Sequence, residues 1–174
     1  MALAIVMQRV ICWRHYFAQM KYKPKPRFKA GLITKDTKPD SKTIVGSLIP
    51  QPLIEQPNGE VLLLDELLPD KPVALIYGER PEEMISPADL ADLLALGAAV
   101  FCLAPEWCKA VKADFPTGRD VSRLLAKAPY LGYLDHVLLL RRDRYVAAAA
   151  PIGSLKPIKD TLRLLIAQTR SEVL

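Results

Sequence analysis

The chain has 174 residues, 51% of them hydrophobic, which is enough to bury the core of one domain of ordinary size. Its net charge of +5 is uneven, because residues 1–50 hold ten Lys/Arg against two Asp and the rest of the chain is slightly acidic. No apolar stretch approaches the roughly 20 residues that span a bilayer, and no basic region precedes the apolar start, so we expect neither membrane insertion nor export.

The first segment carries an apolar and aromatic stripe with helical spacing. Residues three and four positions apart lie on one face of a helix, so the pattern predicts an amphipathic helix. We call these residues the N-terminal stripe: Leu3, Val6, Val10, Trp13, Phe17 and Met20. The stripe is our candidate interaction face, because it has to be covered either by the body of the same chain or by a partner.

Prolines alternate with basic residues from Tyr22 to Phe28, which excludes a helix and favours an extended linker. The five basic residues between Lys21 and Lys29 suggest nucleic-acid binding, but the run is short and no nucleic-acid-binding module follows it. We therefore do not expect nucleic acid as a partner.

The polar residues 31–47 are expected to form a loop or a mobile strap. The sequence therefore divides into residues 1–45, an N-terminal helix with a basic Pro-rich linker, and residues 46–174, a folded domain. The domain opens with residues 50–55 and 61–64, which we expect to pair as a hairpin because Asn-Gly at 58–59 tolerates positive φ. A single helical turn is expected at 65–68.

A strand, a helix and a second strand follow. Residues 72–77 and 98–103 are continuous apolar runs typical of strands buried on both faces, and strands this close together form a parallel unit around their helix. Ser86 is predicted to cap that helix, with Pro87 at its first position. Its inner face is predicted to consist of Leu90, Leu93, Leu94 and Leu96.

Another short helix is expected at 120–127, followed by a hairpin at 135–149 whose tight turn is Arg142-Asp143. The chain ends in a helix at 155–168. Its inward residues are predicted to be Leu155, Ile158, Leu162, Leu165 and Ile166, with Lys156, Lys159, Asp160 and Arg163 facing water. The fold class is therefore α/β, with a thioredoxin-like central sheet (β-α-β, then β-β-α) preceded by an N-terminal helix and an extended linker.

An ordered set of motifs carries a resemblance to a known kind of domain. These motifs lie at 46–52, 58–59, 64–68, 73–78 and, above all, 140–147. Together they resemble the C-terminal thioredoxin-like domain of FAD-dependent aromatic-ring hydroxylases, a group that includes phenol hydroxylases and 3-(3-hydroxyphenyl)propionate hydroxylases. The likeness covers residues 46–168, and residues 3–28 are similar to the last helix and exit linker of the family's flavin-bearing part. Arg142 departs from the pattern, where proline is common, as do Ala148 and Ala149.

The resemblance implies a non-catalytic tail portion of such a hydroxylase, which serves dimerisation or docking. The family holds FAD through an N-terminal Gly-x-Gly-x-x-Gly turn, which is absent from this chain, so we expect no cofactor, metal or catalytic residue here. The partner would be a second copy or a flavin-bearing domain.

The alternative is a stand-alone thiol-dependent oxidoreductase that uses Cys108. Thioredoxin-type chemistry requires an activated thiolate, normally in Cys-x-x-Cys after the first central strand, but residues 78–84 contain no cysteine. Cys108 lies in a loop beside Lys109, which would lower the pKa of its thiol, while Cys102 lies in a buried strand. The three cysteines, including Cys12, have no paired framework, which predicts reduced thiols in the cytoplasm.

The remaining polar candidates have simple interpretations. His15 and His136 belong to no metal-ligand spacing, and Glu79, Glu82 and Glu83 are expected to form a solvated acidic loop.

We expect the purified protein to be colourless, to bind no FAD and to oxidise no NAD(P)H with phenolic substrates, because its eight glycines form no phosphate cradle. An absorbance scan after addition of excess FAD and dialysis checks this expectation. Retention of nearly one equivalent of flavin would contradict it.

Overall fold

The computed structural model describes residues 27–34, 36–39, 42–108 and 115–171. Seven strands form one mixed sheet in the order β2-β1-β5-β4-β3-β6-β7. They are β1 (Leu53–Glu55), β2 (Val61–Leu63), β3 (Val73–Tyr77), β4 (Ala99–Pro105), β5 (Thr117–Asp120), β6 (His136–Leu140) and β7 (Val146–Pro151). The helices are α1 (Leu64–Leu67), α2 (Pro87–Ala95) and α3 (Lys156–Ser171), with a 3-10 turn at Tyr130–Tyr133.

The central β-α-β unit is confirmed. Strand β3 is buried along its whole length and pairs in parallel with β4, from Val73 opposite Ala99 to Tyr77 opposite Leu103. Helix α2 connects them. The Ser86 hydroxyl accepts a hydrogen bond from the Asp89 N–H, and Pro87 occupies the first helical position, where a missing N–H costs nothing.

Both predicted hairpins are confirmed. Strands β1 and β2 pair in an antiparallel manner around Asn58-Gly59, where Gly59 has a φ of 85°. Strands β6 and β7 also pair in an antiparallel manner, and β6 joins the sheet beside β3. The predicted helical turn at 65–68 corresponds to α1.

The prediction of a helix at 120–127 is wrong. Residues Thr117–Asp120 form β5, which is parallel to β4 and antiparallel to β1, and turns follow it. The Asp120 carboxylate accepts hydrogen bonds from the N–H groups of Ser122 and Leu125 at 3.0 and 2.9 Å, which holds the chain in a turn. Arg123 then has a φ of 58°, which a right-handed helix does not allow.

Helices α2 and α3 cover one face of the sheet. Leu93, Ile158 and Leu162 are fully buried there, as predicted, whereas Leu94 is 52% exposed, because it lies about 100° around α2 from Leu93. Lys159 was expected to face water. Its ammonium group instead binds the Asp89 carboxylate at 2.8 Å and that of Asp92 at 2.6 Å, which ties the two helices together.

The other face is covered largely by irregular chain, together with Leu64 of α1 and Tyr133 of the 3-10 turn. The described residues between 27 and 49, which we call the strap, include a segment that pairs with the start of β7, where the Gly46 N–H donates to the Val146 carbonyl at 2.8 Å and the Val146 N–H donates to the Ser47 carbonyl at 2.9 Å. Ile44, Val45 and Ile49 are buried in this second core. The packing is thus continuous across residue 45, where the sequence places the domain boundary.

A polar network fastens the strap to the domain. The Asp36 carboxylate accepts hydrogen bonds from the hydroxyls of Thr43 and Tyr133, and from the Lys38 N–H at 3.2 Å. Burial alone would raise the pKa of Asp36, but these hydrogen bonds outweigh it and lower the pKa. The Tyr133 hydroxyl in turn accepts from the Ile44 N–H at 3.2 Å.

The predicted N-terminal helix lies outside the described residues, as do Cys12, His15 and Lys109. None of the helices that the structure describes is long and apolar enough to cross a membrane.

Ile44→Ala tests whether the strap is part of the folded core. Ile44 is 1% exposed, so its truncation leaves a cavity and is expected to lower the free energy of unfolding by about 2–5 kcal/mol. Leu164→Ala, at a residue that is 60% exposed, is the control and should cost less than about 0.5 kcal/mol. Urea denaturation measures both, and equal midpoints would show that the strap does not contribute.

Candidate functional site

The loop that follows β3 lies where a thioredoxin-type redox motif would be. Gly78 is buried against the Met84 side chain and the Asp135 carboxylate, and a Cβ atom at this position would collide with the Met84 sulfur. The loop folds on itself through a hydrogen bond from the Glu83 N–H to the Arg80 carbonyl, and the side chains of Arg80 and Glu83 form an ion pair at 2.8 Å. The loop carries three glutamates against the single basic residue Arg80, and no thiol occurs among residues 78–84.

The acidic loop is not wholly solvated. The Glu79 carboxylate accepts a hydrogen bond from the Trp107 indole N–H at 3.2 Å, and Glu82 is half-buried. Among the described side chains, the buried Oε2 of Glu82 and the hydroxyl of Tyr77 have no hydrogen-bond partner. Burial raises the pKa of Tyr77, with smaller contributions from the charges of Asp120 and Cys108, so the phenol stays neutral.

Cys108 lies close to this loop and is partly exposed. The Arg119 guanidinium donates to the Cys108 carbonyl at 3.2 Å and also pairs with the Glu55 carboxylate. Burial raises the pKa of the Cys108 thiol, the charges of Glu79 and Glu82 raise it further, and Arg119 opposes them. The surroundings therefore disfavour the thiolate that the oxidoreductase alternative requires.

Cys102 is buried in β4, as predicted, and its pKa is raised to about 12, chiefly by burial and then by the charge of Glu82. Both described cysteines are free thiols. The structure therefore does not bring a reactive pair together at this site.

The His136 side chain is held by contacts with its neighbours in the fold. Its Nδ1 lies 2.8 Å from the Leu134 carbonyl oxygen, and its ring meets the Tyr133 ring edge-on, with centroids 5.4 Å apart. Within the described parts of the chain, no three His, Cys, Asp or Glu side chains are grouped closely enough to hold a metal ion.

The glycines do not fit a flavin site. Those at 31, 46, 59, 97 and 153 have positive φ in separate turns, and Gly78 and Gly118 are packed against side chains. The loop after β3 would present Glu79, Glu82 and Glu83 to a pyrophosphate, which would repel it. The described residues thus do not fit FAD.

The β1–β2 hairpin presents an apolar surface to solvent. Leu53 and Leu63 are opposite each other in the ladder and Val61 is two residues from Leu63, so the three side chains lie on the same face. They are exposed by 44%, 40% and 46%, and we call them the hairpin face. Sequence reasoning did not single them out, because three-residue strands show too little alternation.

The N-terminal stripe lies outside the described residues, so its six residues remain a prediction. The polar network around Asp36 is also not predicted by the sequence, because Asp36 and Tyr133 are 97 positions apart. No local pattern could have indicated that contact.

Comparison with known proteins gives a consistent result. The family model described as the HcaD C-terminal domain matches residues 46–164. A curated relative, the 3-(3-hydroxy-phenyl)propionate/3-hydroxycinnamic acid hydroxylase of Mycolicibacterium smegmatis, is 29% identical over 140 residues, which cover 78% of this chain. That stretch is 25% of the relative, so the chain spans about a quarter of the length of that hydroxylase.

Solved structures show the same fold. The flavin-dependent monooxygenase PieE, solved in complex with FAD and substrate, superposes with a TM-score of 0.55 at 17% identity, over 82% of this chain and 25% of that one. The thioredoxin domain of a thiol-disulfide oxidoreductase from Bacteroides vulgatus superposes with a TM-score of 0.50 at 16% identity, over 72% of this chain and 96% of that domain. The thioredoxin-like fold class is therefore confirmed.

Glu79→Gln should make the Cys108 thiol more reactive. The substitution removes a negative charge that raises the thiol pKa, so more thiolate forms at a given pH, and the glutamine can still accept the Trp107 hydrogen bond. The measurement is the rate of iodoacetamide alkylation against pH in a Cys12→Ser background. Its midpoint is expected to move to lower pH.

Glu83→Gln is the control for this measurement, because Glu83 pairs with Arg80 instead. A midpoint that moved equally in both variants would show that Glu79 does not act on Cys108.

Proposed function

Because the chain belongs to the HcaD C-terminal domain family, we propose that it is the non-catalytic C-terminal portion of an FAD-dependent aromatic-ring hydroxylase and serves dimerisation or docking. The chain corresponds to only a quarter of a related hydroxylase. The flavin and the hydroxylation chemistry then belong to a separate part, and the partner is a flavin-bearing domain or a second copy. The free thiols of the described residues accord with a cytoplasmic location.

Two observations support a non-catalytic role. The acidic loop after β3 has no thiol, and the charges around Cys108 raise rather than lower the pKa of its thiol. The glycines are used in turns and close packing rather than in a phosphate cradle. Within the part of the chain that the structure describes, these observations support a scaffold without an activated thiol and without a cradle that fits a flavin.

The observation that carries the docking proposal is the hairpin face. Leu53, Val61 and Leu63 are adjacent and each is at least 40% exposed. Strand β2 is also at the edge of the sheet, where a partner can reach it. Apolar side chains grouped in this way at a surface are typical of protein interfaces. Arg119 and Glu55 lie on the same side of the sheet and supply a polar rim.

Size-exclusion chromatography with light scattering tests the assembly. We expect a homodimer of the chain alone, or a yellow complex when it is mixed with a 3-(3-hydroxyphenyl)propionate hydroxylase truncated before its own C-terminal domain. Leu63→Glu should weaken that association at least about tenfold, because a charge is desolvated at the interface.

Leu164→Glu is the matched control, since Leu164 is also exposed but lies on α3, and it should leave the association unchanged. A clean monomer that binds no flavin-bearing portion would contradict the proposed function.

A further inference from the structure

We propose that a cleft at one end of the sheet binds a small organic acid, in which a carboxylate is carried on an apolar body. We call it the basal cleft. It lies where β3 begins and β6 ends, at the opposite end of β3 from the acidic loop. The inference goes beyond the proposed function, because it concerns the chain alone and does not depend on a flavin-bearing partner.

Four parts of the chain meet at the basal cleft. Strands β3 and β6 pair up to Val73 and Leu140, which places the residues that precede β3 and follow β6 side by side. The strap and the C-terminal half of α3 contribute Leu32 and Leu165. The cleft has a volume of about 540 Å³, within the range of about 300–1,000 Å³ that is usual for small-molecule sites. It therefore has room for one small ligand rather than for a folded partner.

Three cationic side chains line the basal cleft, those of Lys71, Arg141 and Arg142. The Arg142 guanidinium donates from Nε and Nη2 to the two carboxylate oxygens of Asp70, both at 2.6 Å. Arg141 donates in the same way to Asp143, at 3.1 and 2.8 Å. The Nη1 groups of both arginines take no part in these pairs, and the Lys71 ammonium has no ion-pair partner among the described side chains. The cleft therefore retains hydrogen-bond donors and an excess of positive charge.

This small excess of charge selects a monoanion. A carboxylate carries one negative charge at neutral pH, whereas a phosphate monoester carries about 1.5 to 2. The additional charge would be repelled by the carboxylates of Asp70 and Asp143, which also line the cleft. An arginine that is paired through Nε and Nη2 can still donate from Nη1 to a second carboxylate. The chemistry therefore favours a carboxylate over a phosphate.

Arg141 is held in place before any ligand binds. Its side chain is 25% exposed, and its guanidinium carbon lies 5.4 Å from the centre of the Phe28 ring. The pair with Asp143 restricts the same group further. A donor that is already ordered loses little conformational entropy when a ligand arrives, which favours binding.

The walls of the cleft select the apolar body of the ligand. Leu32, Pro72 and Leu165 line the cleft, and the two leucines belong to the core that the helices cover. A hydrocarbon chain placed against these side chains is removed from water, which stabilises the complex. An inorganic anion or acetate gains nothing from this surface. The ligand therefore needs both a charge and an apolar body.

Isothermal titration calorimetry on the full chain tests the inference, with octanoate as the probe. We expect octanoate to bind saturably at one site per chain. Acetate lacks the apolar body and 1-octanol lacks the charge, so each should bind at least about tenfold more weakly. Octyl phosphate should also bind more weakly than octanoate. Tighter binding of octyl phosphate or of 1-octanol would overturn the assignment of a carboxylate.

Two double substitutions locate the binding. Arg142→Gln combined with Asp70→Asn removes an ion pair of the cleft without changing the net charge. It should weaken octanoate binding about tenfold, because the guanidinium donors are lost. Arg123→Gln combined with Glu106→Gln is the matched control and should leave the affinity unchanged. That pair has the same geometry, at 2.6 and 2.7 Å, but does not line the cleft.

Lys71→Gln should also weaken octanoate binding, whereas Lys127→Gln, at an exposed lysine outside the cleft, should not. Circular dichroism confirms that each variant is folded. Equal affinities in the two double variants, or octanoate binding that does not saturate, would overturn the inference. None of these results depends on a flavin-bearing protein, so this test and that of the proposed function can fail separately.

Discussion

The burial of β3 on both of its faces is the constraint on which the rest of the structure depends. Val73, Leu75 and Tyr77 enter one core, while Ala74 and Ile76 enter the other. A five-residue strand that is buried on both faces needs a hydrogen-bonded strand at each edge and other elements packed on each face. Strands β4 and β6 supply the edges, helices α2 and α3 cover one face, and the strap with the segment before β6 covers the other.

The sequence predicts those parts of the fold that depend on local chemistry. Strand β3 is a continuous apolar run, α2 has a capping serine followed by proline, and the β1–β2 turn has Asn-Gly. Strand β5 could not be found in this way, because Thr117–Asp120 contains a glycine and two charged residues. Its extended conformation is set by the neighbouring strands β4 and β1 rather than by its own residues.

The candidate site shows the same division. The absence of a thiol after β3 can be read directly from the sequence, but the surroundings of Cys108 cannot. Its neighbour in sequence is Lys109, whereas Glu79, Glu82 and Asp135 approach it through the fold and raise the pKa of its thiol. A loop or strap is predicted at residues 31–47, but its packing into the core is not, since a polar segment can still bury isolated residues such as Ile44 and Ile49.

The strap has a consequence for how this sheet can grow. It pairs with the first part of β7, and Pro151 at the end of that strand has no N–H to donate. Of the two edge strands that the structure describes, β2 is the one with no pairing to the strap, and it is only three residues long. Copies that join through a single edge each form a closed pair, whereas two open edges would allow an unlimited fibre. By pairing with the start of β7, the strap shortens the edge at which a further copy could add, which favours closed association through β2 over a fibre.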